Sequence, residues 1–171
     1  MASEAAPPVA AATDAYERWL GKRVDIVETD LKLKHKLMQG SVFVFLRGTF
    51  YRWAALWQEA VPDLAKAPRV LAVGDLHVEN FGTWRDTEGR LIWGVNDFDE
   101  VARMPYAVDL VRLVTSAMFA KRENDLIIDD SAAAAAVLEG YSASLDSGAH
   151  SRSCLWLRIL GTLDLRLLVQ G

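Results

Sequence analysis

The stretch RVLAVGDLHVENFG at 69–82, followed after a short insert by LIWGVNDFDE at 91–100, decides how this chain is read. Pro68 precedes an apolar run that reads as a buried strand, and Gly74 frees the backbone for a sharp turn exposing Asp75 at the strand's end. GTW at 82–84 and LIWGV at 91–95 flank the turn residues Thr87, Glu88 and Gly89, a pattern that predicts a β-hairpin. Its second strand delivers Asp97 and Asp99. Asp75 and Asn80 stand in D-x-x-x-x-N, a spacing that lets one compact loop present an acid and an amide to the same small volume. Hard oxygen donors at strand ends suit a magnesium ion and a phosphate.

Charge is concentrated in the same place. The 171 residues carry a net charge of -4, and seven acids against two bases fall between Asp75 and Glu100. That cluster repels a phosphodiester backbone, so a nucleic-acid partner is disfavoured and a divalent metal favoured. Hydrophobic residues make up 51% and charged residues 25%, the balance of a folded globular domain. The window 106–120 carries Asp109 and Arg112 and is shorter than a bilayer span needs, so no membrane helix is expected. Cys154 is the single cysteine, which excludes an internal disulfide and a cysteine-built zinc site and fits a cytoplasmic location.

Outward from the central stretch, residues 1–13 read as a flexible leader because Glu4 and Pro7-Pro8 stand where a signal peptide needs a basic and an apolar region. Thr13-Asp14 caps one helix carrying Tyr16, Trp19, Leu20, Val24, Val27 and Leu31 and ending near Gly40, with Lys32, Lys34 and Lys36 on a solvated face. SVFVFL at 41–46 is β-branched and aromatic and reads as a strand, closed by Arg47-Gly48. A Trp-rich helix is expected over 50–60, a helix opened by Pro105 over about 106–122, and another from Ser131 to about Leu145. Nothing divides the chain, so one domain over 14–171 is expected. Arg47, between an apolar strand and a glycine, is placed to meet a phosphate by two parallel hydrogen bonds. Asp109 and Arg112, three apart on a helical face, are expected to pair with each other.

Four motifs carry a resemblance: VFLRG at 44–48, GDLHVENFG at 74–82, NDFDE at 96–100 and DLVRLVTS at 109–116. In this order they closely resemble the bacterial family of unknown function DUF2252, which is in turn similar to protein-kinase-like phosphotransferases, including those acting on aminoglycosides. The resemblance implies an α+β, protein-kinase-like fold, partial in this chain because members run longer on the C-terminal side. It implies Asp75 as the catalytic-loop aspartate, Asn80 and Asp97 as metal-binding residues, and magnesium and ATP as cofactors, with a small-molecule hydroxyl as acceptor. Asp99 is a further candidate metal ligand that would equally cap the following segment. His77 reads as a partner that orders the loop.

Two departures keep a second reading open. Val73 stands where kinase-like enzymes commonly have a histidine, and no glycine-rich nucleotide loop or phosphate-holding lysine is visible. A catalytically inactive kinase-like binding or regulatory module, or a gene fragment, is the alternative they support. A metallophosphoesterase is suggested by Gly-Asp-Leu-His, but only His150 follows His77, too few histidines for a dinuclear site.

Overall fold

The computed structural model describes residues 7–125, 127 and 129–146. The first six residues of the expected leader, and the apolar stretch from His150 onward with Cys154, lie outside them. By contact the chain divides into two compact units, Met1–Ala67 and Pro68–Gly171, where the sequence shows no linker and one domain over 14–171 was the expectation. The described residues form a mixed α+β structure of six α-helices and two two-stranded antiparallel sheets.

The first unit is helical: α1 Val9–Leu20, α2 Glu28–Gly40, α3 Val42–Gly48 and α4 Phe50–Ala60, then a single 3-10 turn at Leu64–Lys66. Residues 9–13, expected in the leader, are the first turns of α1. Pro8 supplies a fixed φ just before the helix and the alanines at 10–12 are strong helix formers. Thr13 does not cap; its hydroxyl bonds back to the Val9 carbonyl and meets the Tyr51 hydroxyl at 2.7 Å. The single helix expected from Thr13 to Gly40 is two, broken after Leu20 at a turn that begins with Gly21. His35 Nε2 on α2 lies 2.7 Å from Glu17 Oε1 on α1 and ties the two together.

The expected strand at 41–46 is the helix α3. Ser41 Oγ accepts from Val44 N at 3.0 Å, an N-cap, and Phe43 and Leu46, three apart, are the buried positions while Val42 is exposed. A short apolar run does not itself distinguish strand from buried helix, and the serine cap decides it here. α4 occupies Phe50–Ala60 as expected, burying Phe50 and Trp57, and Pro62 follows its end.

The second unit holds β1 Arg69–Ala72, a 3-10 turn at Val78–Asn80, β2 Phe81–Arg85, β3 Leu91–Val95, β4 Ala102–Pro105, α5 Ala107–Glu123 and α6 Asp130–Asp146. β2 and β3 form the expected hairpin, with Phe81 opposite Val95 and Arg85 opposite Leu91. Its turn is built by Asp86, whose carboxylate accepts from Glu88 N and Arg90 N at 2.9 Å, and by Gly89 at φ +78°. β1 pairs antiparallel with β4, Arg69 opposite Pro105 and Ala72 opposite Ala102. β1 is not the buried strand its composition suggests: only Ala72 is buried, and Leu71 is 74% exposed. The core of the unit lies instead between the helices and the loop after β1, on Leu76, Val78, Val108, Leu113, Ala117 and Val137.

Candidate functional site: a loop docked on a polar stripe of α5

β4 brings the chain back to the end of β1, and the register carries Glu100 across Gly74. Gly74 has φ +94°, and a Cβ built there would lie 2.4 Å from the Glu100 carbonyl oxygen. Only glycine satisfies both demands, the left-handed φ and the close approach of another backbone. The turn expected at Gly74 is therefore present, and it is fixed by β4, a strand whose four residues ending in proline give no signal in the sequence.

From that turn the chain runs along α5, which holds it at three points. Asp109 accepts from Val73 N at 2.7 Å and from Gly74 N at 2.9 Å. Arg112 donates through Nε to Asp75 Oδ1 at 2.7 Å and adds a second, shorter bond from Nη2 to the same oxygen. Ser116 Oγ accepts from Val78 N at 3.1 Å and donates to the Leu113 carbonyl. Residues 109, 112 and 116 share one helical face, so a polar stripe on α5 reads off the loop residue by residue. The pairing expected between Asp109 and Arg112 is not what holds them. Each takes a partner on the loop, because the turn leaves two backbone N–H groups and one carboxylate that the two-stranded ribbon of β1 and β4 does not satisfy.

The second half of the loop closes on itself. His77 N donates to Asn80 Oδ1 at 2.5 Å, and Asn80 N donates to the His77 carbonyl at 3.0 Å. Both residues are buried. Asn80 then passes into β2, its carbonyl accepting from Asn96 N at 2.9 Å, which joins the loop to the far end of β3 just before Asp97. The amide of Asn80 thus orders the loop, and its φ is not left-handed.

A family model described as an uncharacterized protein conserved in bacteria, DUF2252, matches residues 23–166. The chain belongs to this family. No curated protein and no solved structure matches it. The DUF2252 match covers the whole of the loop, the hairpin and α5, and thus every side chain in the constellation just described.

In this DUF2252 chain Asp97 and Asp99 lie exposed on the segment from β3 to β4, where Asp99 N approaches Asp97 Oδ1 at 3.4 Å. Glu100, one of the seven acids of this stretch, completes an acidic rim with them. Partial burial pushes its carboxyl above the ordinary range, and the neighbouring charges of Asp75, Asp99 and Asp97 add to the rise, with Arg112 opposing. Burial likewise raises Asp109, against the two backbone N–H bonds that favour its ionised form. Arg112 is fully buried; desolvation pulls its pKa down, while Asp75 first, then Glu100 and Asp109, hold it up. A buried guanidinium is tolerated only with such partners. The signal for Arg112 was present in DLVRLVTS, as a cation on the apolar face of a helix.

Among the described residues no three His, Cys, Asp or Glu side chains form a group able to hold a metal ion. The Asp97 and Asp99 carboxylates are exposed, whereas the Asn80 amide oxygen is buried and accepts from His77 N. Arg47 lies exposed in the last turn of the helix α3 in the other unit, and not at the end of a strand. Among the described residues no helix is long and apolar enough to cross a membrane.

Proposed function

We propose that this chain is a protein-kinase-like phosphotransferase that uses ATP and magnesium to phosphorylate a small-molecule hydroxyl. The observation that carries the reading is the fixation of Asp75. Its carboxylate, and the backbone at Val73, Gly74 and Val78 on either side, are anchored to α5, on a loop that also holds Asn80 and is bonded to Asn96 just before Asp97. Phosphoryl transfer asks little more of a protein than position and charge stabilisation. The acceptor oxygen attacks the γ-phosphorus, the bond to the β,γ-bridging oxygen breaks with its electron pair leaving on ADP, and Asp75 takes the hydroxyl proton. Asp97, with Asn80 and Asp99, would hold magnesium, which when bound neutralises phosphate charge. Magnesium takes one or two carboxylates and fills its remaining positions with water and phosphate oxygens, so these donors fit it without a protein cage.

The Arg112 bond to Asp75 favours a second reading, a binding module without turnover, since a carboxylate already held by a guanidinium is a weaker proton acceptor. One experiment separates the two. Magnesium with ATP at about a hundred times its Kd stabilises by about 2.7 kcal/mol, a Tm rise of about 5–10 °C for a chain of this size. Asp97→Ala is expected to lose that rise, and Asp75→Ala to keep it while losing phosphate transfer. A rise without turnover in the parent supports the binding module. No rise in the parent, or both variants behaving like it, refutes the phosphotransferase.

A further inference from the structure

We propose that Arg112 is a positioning residue that fixes the direction of the Asp75 carboxylate while Asp109 and Ser116 fix the loop's backbone. The three residues of the α5 stripe differ in what they hold. Asp109 and Ser116 accept only from backbone N–H groups, of Val73, Gly74 and Val78. Arg112 bonds a side chain, through two nitrogens of one rigid plane to one oxygen of Asp75. Two donors converging from a planar group set an orientation as well as a distance, which a single point charge does not.

The environment gives that orientation a purpose. Arg112 is wholly buried, whereas the Asp75 side chain is 22% exposed, so the aspartate spans from the helix face to the surface. Glu100, packed across the turn at Gly74, acts on Asp75 with a like charge and itself feels Asp97 and Asp99. Left alone among them, a carboxylate swings away from its own kind. The guanidinium supplies the opposing attraction and retains the rotamer. A group misplaced by about 1 Å loses about a hundredfold in rate even when binding is intact, and that is the scale on which Arg112 acts.

The turnover arm of the test rests on the phosphotransferase reading; the structural arm does not. In the full chain, the Hα–Hβ couplings of Asp75 report its χ1 rotamer, and the amide shifts of Val73, Gly74 and Val78 report the loop. Wild type is expected to show one Asp75 rotamer. Arg112→Met is expected to show averaging at Asp75 with the three amides little changed, and an approximately hundredfold fall in kcat for magnesium-ATP turnover with KM within about threefold. Arg112→Lys, which restores a charge but not the fork, is expected to recover about tenfold of that fall. If Arg112→Met does not fold, Arg112→Lys against wild type carries the same two readouts. A single unchanged Asp75 rotamer in the folded variants overturns the proposal, as does a loss in which kcat, KM and the loop amides move together. If wild type neither binds magnesium-ATP nor turns it over, the phosphotransferase reading fails and the rotamer measurement alone decides the role of Arg112.

Discussion

Gly74→Ala tests the geometry on which the site depends, because two separable costs meet at that residue. Its φ of +94° lies where an L side chain is unfavourable, a cost of about 1–2 kcal/mol. The added Cβ would lie 2.4 Å from the Glu100 carbonyl oxygen and 3.0 Å from the Glu100 Cβ. The nearest of these atoms belongs to backbone entering β4 and cannot turn aside as a flexible side chain does. Relieving such an overlap by moving backbone costs about 1–3 kcal/mol. Together the terms predict a loss of about 2–5 kcal/mol, a Tm lower by about 4–20 °C for a chain of this length. Gly89→Ala isolates the first term, since Gly89 has φ +78° in the hairpin turn and nothing within 4 Å of a built Cβ. It is expected to cost about 1–2 kcal/mol. Thermal unfolding of both variants beside the parent measures the difference, which is the contact with Glu100. Equal losses in the two variants, or a Gly74→Ala protein melting within 2 °C or so of the parent, would refute the close approach of β4 to the turn.

Asp109→Ala removes the acceptor of two backbone N–H groups and is expected to cost about 2–4 kcal/mol, with Asp109→Asn, which keeps one acceptor, losing about half; urea midpoints read both. The raised carboxyl pKa of Glu100 has a definite sign in stability: the folded state holds the proton more tightly, so this contribution is favourable near its ordinary 4.5 and is lost as pH rises through the folded value. Glu100→Gln is expected to flatten the decline in unfolding free energy as pH rises above the ordinary 4.5 of a glutamate, relative to the parent, and an unchanged slope would show that neither burial nor the neighbouring carboxylates raise Glu100. Ser41→Ala removes the N-cap of α3 and is expected to cost about 1 kcal/mol, measured as thermal unfolding; no change would return that segment to the strand its composition suggests.

Where residues carry their own conformational signal, the sequence was readable. The turn residues Thr87, Glu88 and Gly89 between GTW and LIWGV announced the hairpin, and the alanine run announced α6. The elements that were misread are those decided by a partner or a single cap. The β-branched and aromatic residues at 42–45 favour a strand on propensity, yet a helix of seven residues with Ser41 at its cap buries Phe43 and Leu46 together. β4 has no pattern of its own and exists because β1 needs a neighbour. In the site, Asp75, Asn80 and Asp97 were legible as residue types at a spacing, and the structure puts the first two on one loop. What spacing could not reveal is what those side chains bond to. Local reasoning paired Asp109 with Arg112 because they are three apart on a helix, whereas a helical neighbour is worth only about 0.2–0.5 kcal/mol. Unsatisfied N–H groups and an unpaired carboxylate on the loop are worth several times more, and they won.

The same comparison of magnitudes explains how the site divides its charges. Asp75 and Asn80 are bound inward, to Arg112 and to the His77 amide, and the backbone is anchored before Asp75 at Val73 and Gly74 and between the two at Val78. Asp97, Asp99 and Glu100 are exposed, and the Glu100 carboxyl is raised. One guanidinium does not balance these carboxylates, so the outward group retains a surplus of negative charge. On the phosphotransferase reading proposed above, a loop fixed in place beside this surplus supplies the position in advance, and magnesium brought with the nucleotide would supply the charge. On this argument the inward set governs how fast the site works and the outward set how tightly it binds. Substitutions at Arg112 and at Asp97 should therefore separate along kcat and Kd, and a substitution at Asp97 that slowed turnover at saturating ligand without weakening binding would contradict the division.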